Sequence, residues 1–392
     1  MKLAMTGNEA MAYAMKQINP DVVAAYPITP ATEVVQLFSQ YVADGEVDTE
    51  FVPAESEHSA LSACVGAAVA GARVITSTAS QGLALMHEIL YIASALRQPI
   101  VIALVNRSLS APINIHCDHS DTMGSRDSGW IQIYCANSQE AYDSMIQAVK
   151  IAEKVNLPVM VTADAFILSH CMERIEVLSD EEVRDFVGKE RKPVYSLLDV
   201  DNPVTVGPLD LQDYFFEHKR SQIEAVWHAM PVIEDVAKEY GDRFGRYYPV
   251  VEDYRTEDAE VAVVALGSTA DTLKEVVDML REEGKKVGLV RIRVFRPLPS
   301  KRLQESLSKF KVVAVMDRVD SLNAFGGPAF SEIRSVLYET EKRPIIVDYV
   351  YGLGGRDIEI EELVRVFNDA ERIAETGKYE KLVTYLGVRG EE

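Results

Sequence analysis

The chain has 392 residues, 47% hydrophobic and 26% charged, with a formal net charge of −21 at pH 7. That length is too great for one ordinary core, so two or three domains are expected. The acids are spread along the chain rather than gathered in a tail, a balance that repels phosphate backbones and anionic membranes and excludes nucleic acid as a partner. No apolar run reaches the ~18 residues of a membrane span. Asn8, Glu9 and Lys16 interrupt the apolar N-terminal residues where a signal peptide would be continuous, so a cytoplasmic protein is expected. The four cysteines, Cys64, Cys117, Cys135 and Cys171, lie far apart with no CxxC pair. That spacing disfavours a disulfide framework, a structural zinc site and an iron–sulfur cluster.

In chain order, Thr6 and Glu9 form a capping box that opens a helix to about residue 17. Residues 21–26 read as an apolar strand. Thr29-Pro30 reads as an N-cap followed by proline at the first helical position, opening a helix to about residue 42. A strand over 49–53 leads into a helix over 55–70 rich in Ala, Ser, Cys and Gly. Its small side chains predict burial or an interface. Strand 73–78, helix 81–96 and the apolar strand 99–105 follow. Residues 106–127 have no periodicity and are rich in Ser, His and Asp; a loop that long in a compact domain is usually functional. Helix 139–155 and strand 158–163 complete the unit. The alternation predicts an α/β fold with a parallel sheet covered on both faces.

From 173 to 257 charge, proline and tyrosine dominate, and one helix is expected over 221–239. A second α/β unit has expected strands at 261–266, 287–294, 311–316 and 344–350, helices at 272–283 and 331–339, and a helical tail from 358. The expected domains are therefore 1–172, a connector over 173–257, and 258–392.

Three segments follow strand C-terminal ends, where open α/β sheets place ligands: Tyr26 to Pro30, Pro53 to His58, and Asn106-Arg107. Glu57 has two readings, a carboxylate stabilising a helix N-terminus, which Glu55 fits equally, or a buried glutamate facing a heterocyclic nitrogen. Arg107 suits two-point recognition of a substrate carboxylate or a surface ion pair. Thr29 caps its helix and can turn its hydroxyl to a ligand. The loop from His116 to Asp121 offers two imidazoles and two carboxylates; a hydrogen-bonded loop is favoured there over a metal site. No GxGxxG, GxxxxGK[ST] or GxSxG motif occurs, and Gly352-Leu-Gly-Gly-Arg356 reads as a glycine turn.

The segments AAYPITPATE, VPAESEHSA, TSTASQGLALMHE, NRSLSAPINIHCDHSD, SRDSGW, IRVFRPLP, AVMDR and YGLGGRD resemble, in order, the α subunit of the pyruvate:ferredoxin oxidoreductases. The resemblance implies a thiamine-diphosphate pyrimidine-binding domain followed by a domain like the C-terminal domain of transketolase. It implies that Pro27 and Glu57 contact the cofactor, Glu57 at the aminopyrimidine ring nitrogen, and that Thr29 and Arg107 bind the substrate carboxylate. No GDG motif occurs, Gly241-Asp-Arg being the nearest. The diphosphate site with its Mg2+, and the iron–sulfur clusters, are then expected on partner subunits, with ferredoxin, coenzyme A and pyruvate as reaction partners. Branched-chain 2-oxoacids and 2-oxoglutarate are the alternative substrates. A ferredoxin-independent thiamine enzyme and a scaffold subunit are the competing readings.

Overall fold

The computed structural model describes residues 1–322 and 324–390, so positions 323, 391 and 392 of the expected last unit lie outside the described residues. β1 (Lys2–Met5) leads into α1 (Gly7–Ile18). There Thr6 Oγ1 accepts from the Glu9 amide at 3.2 Å and Glu9 Oε2 from the Thr6 amide at 2.7 Å, the reciprocal cap expected from the sequence. β2 (Val22–Ala25), α2 (Thr32–Ala43), β3 (Glu50–Pro53), α3 (Glu57–Val69) and β4 (Val74–Thr78) follow. The single helix expected over 81–96 is two, α4 (Ser80–Leu85) and α5 (His87–Ala95), divided at Met86. β5 (Ile100–Asn106), α6 (Ser120–Gly124), β6 (Ile131–Tyr134), α7 (Ser138–Val155) and β7 (Val159–Asp164) complete the first run. The sequence did not announce β6: four fully buried residues are too few to display a period.

Residues 173–257 hold more than the one expected helix. They form β8 (Glu173–Glu176), α8 (Asp180–Val187), α9 (Phe215–Phe244) and β9 (Val251–Tyr254). β8 pairs with β1, and β9 joins the second sheet as an antiparallel edge. β8 exposes alternate residues and β9 is only partly buried, so their polar composition reads as loop when the partner strand is unknown. The remaining elements are β10 (Val261–Ala265), α10 (Thr269–Glu282), β11 (Val287–Ile292), β12 (Val294–Arg296), α11 (Ser300–Leu307), β13 (Val312–Asp317), α12 (Pro328–Leu337), β14 (Ile345–Val350), α13 (Ile360–Thr376) and β15 (Val383–Tyr385). The tail expected to be helical thus ends in a short strand paired with β14.

The first sheet has the order β12-β6-β7-β5-β4-β2-β3, and every pair is parallel except β12 with β6. The second has the order β15-β14-β13-β10-β11-β9, parallel except at β9. The fold is the expected α/β type with two parallel-sheet units. The strand expected over 287–294 divides because its end crosses to the first sheet. Arg293, fully buried, donates to Glu140 Oε1 at 2.7 Å, and Arg291 to Glu140 Oε2 at 2.5 Å, so α7 receives both guanidinium groups at the crossing. One hydrophobic cluster runs through both units, from Met11, Tyr142 and Ile146 to Val264, Val290, Phe295 and Phe330. Among the described residues no helix is long and apolar enough to cross a membrane.

The units are also joined at Asp164, the last residue of β7 and only 1% exposed. Its carboxylate meets His119 Nε2 at 2.8 Å and accepts from the Ser268 amide at 3.0 Å, Ser268 Oγ at 2.5 Å and Arg318 Nη1 at 3.0 Å. Burial by itself would raise its pKa, but His119, Arg318 and Ser268 hold it well below the usual carboxylate range. Replacing Asp164 with Ala strands the Arg318 charge away from water. Chemical denaturation is expected to show a loss of about 3–5 kcal/mol.

Candidate active site

The chain runs from β2 outward to β3 at the sheet edge and then returns to β4 on the other side of β2, so strand order reverses between β2 and β4. Such a reversal opens a crevice beyond the carboxyl ends of the strands. The segments after β2, β3, β4 and β5 all leave at that edge: Tyr26 to Pro30, Ala54 to Glu57, Ala79 to Gly82, and Arg107 with its loop.

Glu57 opens α3 and is 7% exposed. The capping role falls to Ser56, whose hydroxyl accepts from the Ser59 amide at 3.2 Å. The exposed Glu55 bonds the Ser59 hydroxyl. The two glutamates that the sequence left equivalent are therefore separated, one on the surface and one inside. The Glu57 side chain lies against α4 at Gly82: a Cβ built there would stand 2.7 Å from Glu57 Oε1. Only glycine lets these segments meet. Among the described residues the Glu57 carboxylate has no hydrogen-bond partner. Thr78 Oγ1 and Gln81 Nε2, on the adjoining turn, are buried and unpartnered as well.

The N-cap expected at Thr29 does not form. α2 starts at Thr32, with Ala31 before it and no side-chain cap. The reason is tertiary: the Thr29 carbonyl accepts from Arg107 Nη1 at 2.9 Å and the Pro30 carbonyl from Asn8 Nδ2 at 2.8 Å, which holds the segment as a turn ahead of the helix. The Thr29 side chain is left exposed, as is Pro27.

Arg107 is 6% exposed and, among the described residues, forms no ion pair, so the surface-pair reading fails. Nε donates to the Asn114 carbonyl at 2.7 Å and Nη1 to that of Thr29. Both acceptors are neutral, and Nη2 has no partner among the described residues. Burial pulls the guanidinium pKa below its ordinary value, opposed by the nearby Asp121. Structure thus brings Thr29 and Arg107 into contact and places Glu57 at the same edge.

Asp121, fully buried, organises that edge. Its Oδ2 accepts from the amides of Ser80 and Arg107, both at 3.0 Å, and its Oδ1 from Asn106 Nδ2 at 2.9 Å and the Thr122 amide at 2.7 Å. Four donors and no acceptor suit a carboxylate and not an amide. Ser80, at φ 46°, is held in the left-handed region by this bond and by its hydroxyl on the Ser108 carbonyl at 2.6 Å. Sequence reasoning assigned no role to Ser80 or Gly82 and weighed Asp121 only as one carboxylate of the 116–121 loop; the one available signal for the turn was a glycine interrupting the helical run after β4.

The polar groups of the 116–121 loop diverge. His116 packs on Phe166 with ring centroids 4.9 Å apart, His119 turns to Asp164, Asp118 bonds Ser120, and Asp121 faces β4 and β5. Cys117, His119 and Asp164 have ligand atoms within 4.8 Å of one another, but Arg318 already holds the Asp164 carboxylate. Asp118 and Asp121 accept hydrogen bonds from neighbouring groups of the loop and of β5. A cavity of about 690 Å3 lined by Ile92, Leu96, Leu209 and Phe215 lies at the opposite edge of the sheet, where β5 begins.

Burial pushes the Asp121 pKa up to about 6 against the hydrogen bonds that lower it. Its folded value stands above the unfolded carboxyl, so the folded group takes up a proton as pH falls through about 6, before an opened segment would, and the closed state gains stability over that range. Hydrogen exchange, corrected for intrinsic rate, is expected to show protection at Ser80 and Arg107 rising as pH falls from 7.5 to 5. Unchanged protection from pH 7.5 to 5 would contradict this.

Comparison with known proteins adds to this geometry. Residues 13–238 match the family described as pyruvate flavodoxin/ferredoxin oxidoreductase, thiamine diphosphate-binding, and residues 259–363 match the pyruvate:ferredoxin oxidoreductase core domain II. The pyruvate synthase subunit PorA of Thermotoga maritima is 58% identical over 371 residues, 94% of each chain. The ketoisovalerate oxidoreductase subunit VorA of Pyrococcus horikoshii is 43% identical, over 99% of this chain and 98% of its own. Among solved structures, a 2-oxoglutarate:ferredoxin oxidoreductase from Magnetococcus marinus superposes with a TM-score of 0.73 at 20% identity. The match covers 94% of this chain and 65% of that longer one, a likeness of fold.

Proposed function

This chain belongs to the pyruvate flavodoxin/ferredoxin oxidoreductase family, and from that premise we propose that it is the α subunit of a cytoplasmic, multisubunit pyruvate:ferredoxin oxidoreductase. The reaction is oxidative decarboxylation of pyruvate to acetyl-CoA and CO2, with electrons leaving to ferredoxin. The observation that carries the reading is the Glu57 carboxyl, on a buried residue, partnerless among the described residues, and opposite a glycine that leaves it room. With no donor among the described residues, that carboxyl is left to meet a hydrogen-bonding group that enters the crevice.

The residues fit one end of thiamine diphosphate. The Glu57 carboxyl suits a pyrimidine ring nitrogen, and Pro27 lies exposed on the same crevice. The phosphates find no GDG motif here, so we assign them, with Mg2+, to a partner subunit, and the iron–sulfur clusters to partners too. When bound, the cofactor supplies a nucleophilic carbon and an electron sink for 2-oxoacid decarboxylation. With the cofactor bound, Glu57 would share a proton with the pyrimidine ring nitrogen. Arg107, held by two carbonyls, offers Nη2 to the substrate carboxylate, with the Thr29 hydroxyl beside it. The site closes only when the partner is seated, so the isolated chain turns nothing over.

Glu57→Gln in the assembled complex is expected to lower pyruvate oxidation by about a hundredfold or more with assembly intact. Full retained turnover removes the assignment. The greater identity to a pyruvate synthase subunit than to a ketoisovalerate one supports pyruvate. A kcat/KM for pyruvate above that for 2-ketoisovalerate is therefore expected, and the reverse order would replace the substrate.

A further inference from the structure

The glycine turn after β14, which has had no part in the reaction so far, meets the loop after β5. Gly352, Gly354 and Gly355 lie at φ 63°, 61° and 76°, in the left-handed region that glycine occupies freely. The Gly354 carbonyl accepts from Asn114 Nδ2 at 2.9 Å, and the Gly354 amide donates to Asp118 Oδ2 at 3.1 Å. A Cβ on Gly354 would overlap Asn114 Nδ2, and one on Gly355 would overlap His116 Cβ. Two adjoining glycines are therefore what lets the loop lie against the turn.

Asn114 is the joint. Its side-chain oxygen accepts from the His116 amide at 2.8 Å, its side-chain nitrogen reaches Gly354, and its backbone carbonyl accepts from Arg107 Nε at 2.7 Å. Two hydrogen bonds thus run from the second unit to the guanidinium. A guanidinium is planar, so the bonds at Nε and Nη1 together set its plane and the direction of Nη2. The bond at Nη1 comes from the first unit, through Thr29; the bond at Nε depends on the second. Farther along the loop, Asp118 and Asp121 have anchors of their own. The contact with the turn therefore bears chiefly on the stretch that carries the Asn114 carbonyl.

We propose that Asn114 is a positioning residue for the substrate carboxylate, through which the glycine turn of the second unit sets the aim of Arg107. The second α/β unit thereby acts on substrate recognition without touching substrate. This rests on Arg107 binding the 2-oxoacid carboxylate, as read above.

The test uses the assembled complex and three variants. Arg107→Lys is the reference and is expected to raise KM for pyruvate. Asn114→Ala, which keeps the backbone carbonyl but releases it from the turn, is expected to raise KM by about tenfold, since small misplacements of binding groups are costly, with kcat and the thermal midpoint little changed. Gly354→Ala, which pushes Asn114 aside, is expected to give the same split. If Arg107→Lys raises KM while Asn114→Ala and Gly354→Ala keep the wild-type KM, the positioning role is overturned and the reading of Arg107 stands. If Asn114→Ala lowers the thermal midpoint and kcat with KM unchanged, its role is structural and the proposal is likewise overturned. If Arg107→Lys leaves KM unchanged, the reading beneath the proposal fails and the proposal with it.

Discussion

Asp164 ends a central strand of the first sheet with its carboxylate out of water, and a charge in that position must be met by donors. It is met from both units: His119 from the loop after β5, Ser268 from the turn after β10, and Arg318 from the end of β13. The carboxyl ends of the two parallel sheets are brought together around this group. The loop carrying Arg107 passes between them. With the units apart, that loop would have one wall instead of two.

Several buried carboxylates elsewhere among the described residues are met by more than one donor. Glu140 is shared by Arg291 and Arg293, and Asp143 accepts from Tyr240, Tyr248 and Arg246. The crevice between β2 and β4 departs from that pattern. Among the described residues the Glu57 carboxylate has no partner, the Thr78 hydroxyl and the Gln81 amide nitrogen beside it are orphaned, and Arg107 spends two nitrogens on neutral carbonyls. The scaffold around these groups is well bonded, Asp121 alone receiving four donors. A rigid frame holding unsatisfied polar groups is what a site completed by a ligand and a second subunit requires.

Local signals carried far in the first unit. The Thr6–Glu9 box needs only residues three apart, and β5 is apolar throughout because both faces of a parallel sheet are covered, so both could be read directly. The signals failed where a distant residue competes for the backbone. Thr29-Pro30 has the composition of a helix start, yet its carbonyls are taken by Arg107 and Asn8, each far along the chain. Edge strands β8, β9 and β15 escaped because a few half-exposed residues become a strand only when a neighbour supplies hydrogen bonds.

By itself, the order of residues determined the α/β class, the strand ends at which Tyr26 to Pro30, Glu57 and Arg107 stand, and the motif resemblance that led to the family. These follow from periodicity and composition over short windows, which is where propensity and burial act. Tertiary structure alone decided that Glu57 rather than Glu55 is buried, that Gly82 makes room for it, that the histidines of the 116–121 loop point apart, and that a glycine turn 240 residues away bonds Asn114. Each of these depends on which side chain occupies the space opposite, and that is settled only when the two sheets pack.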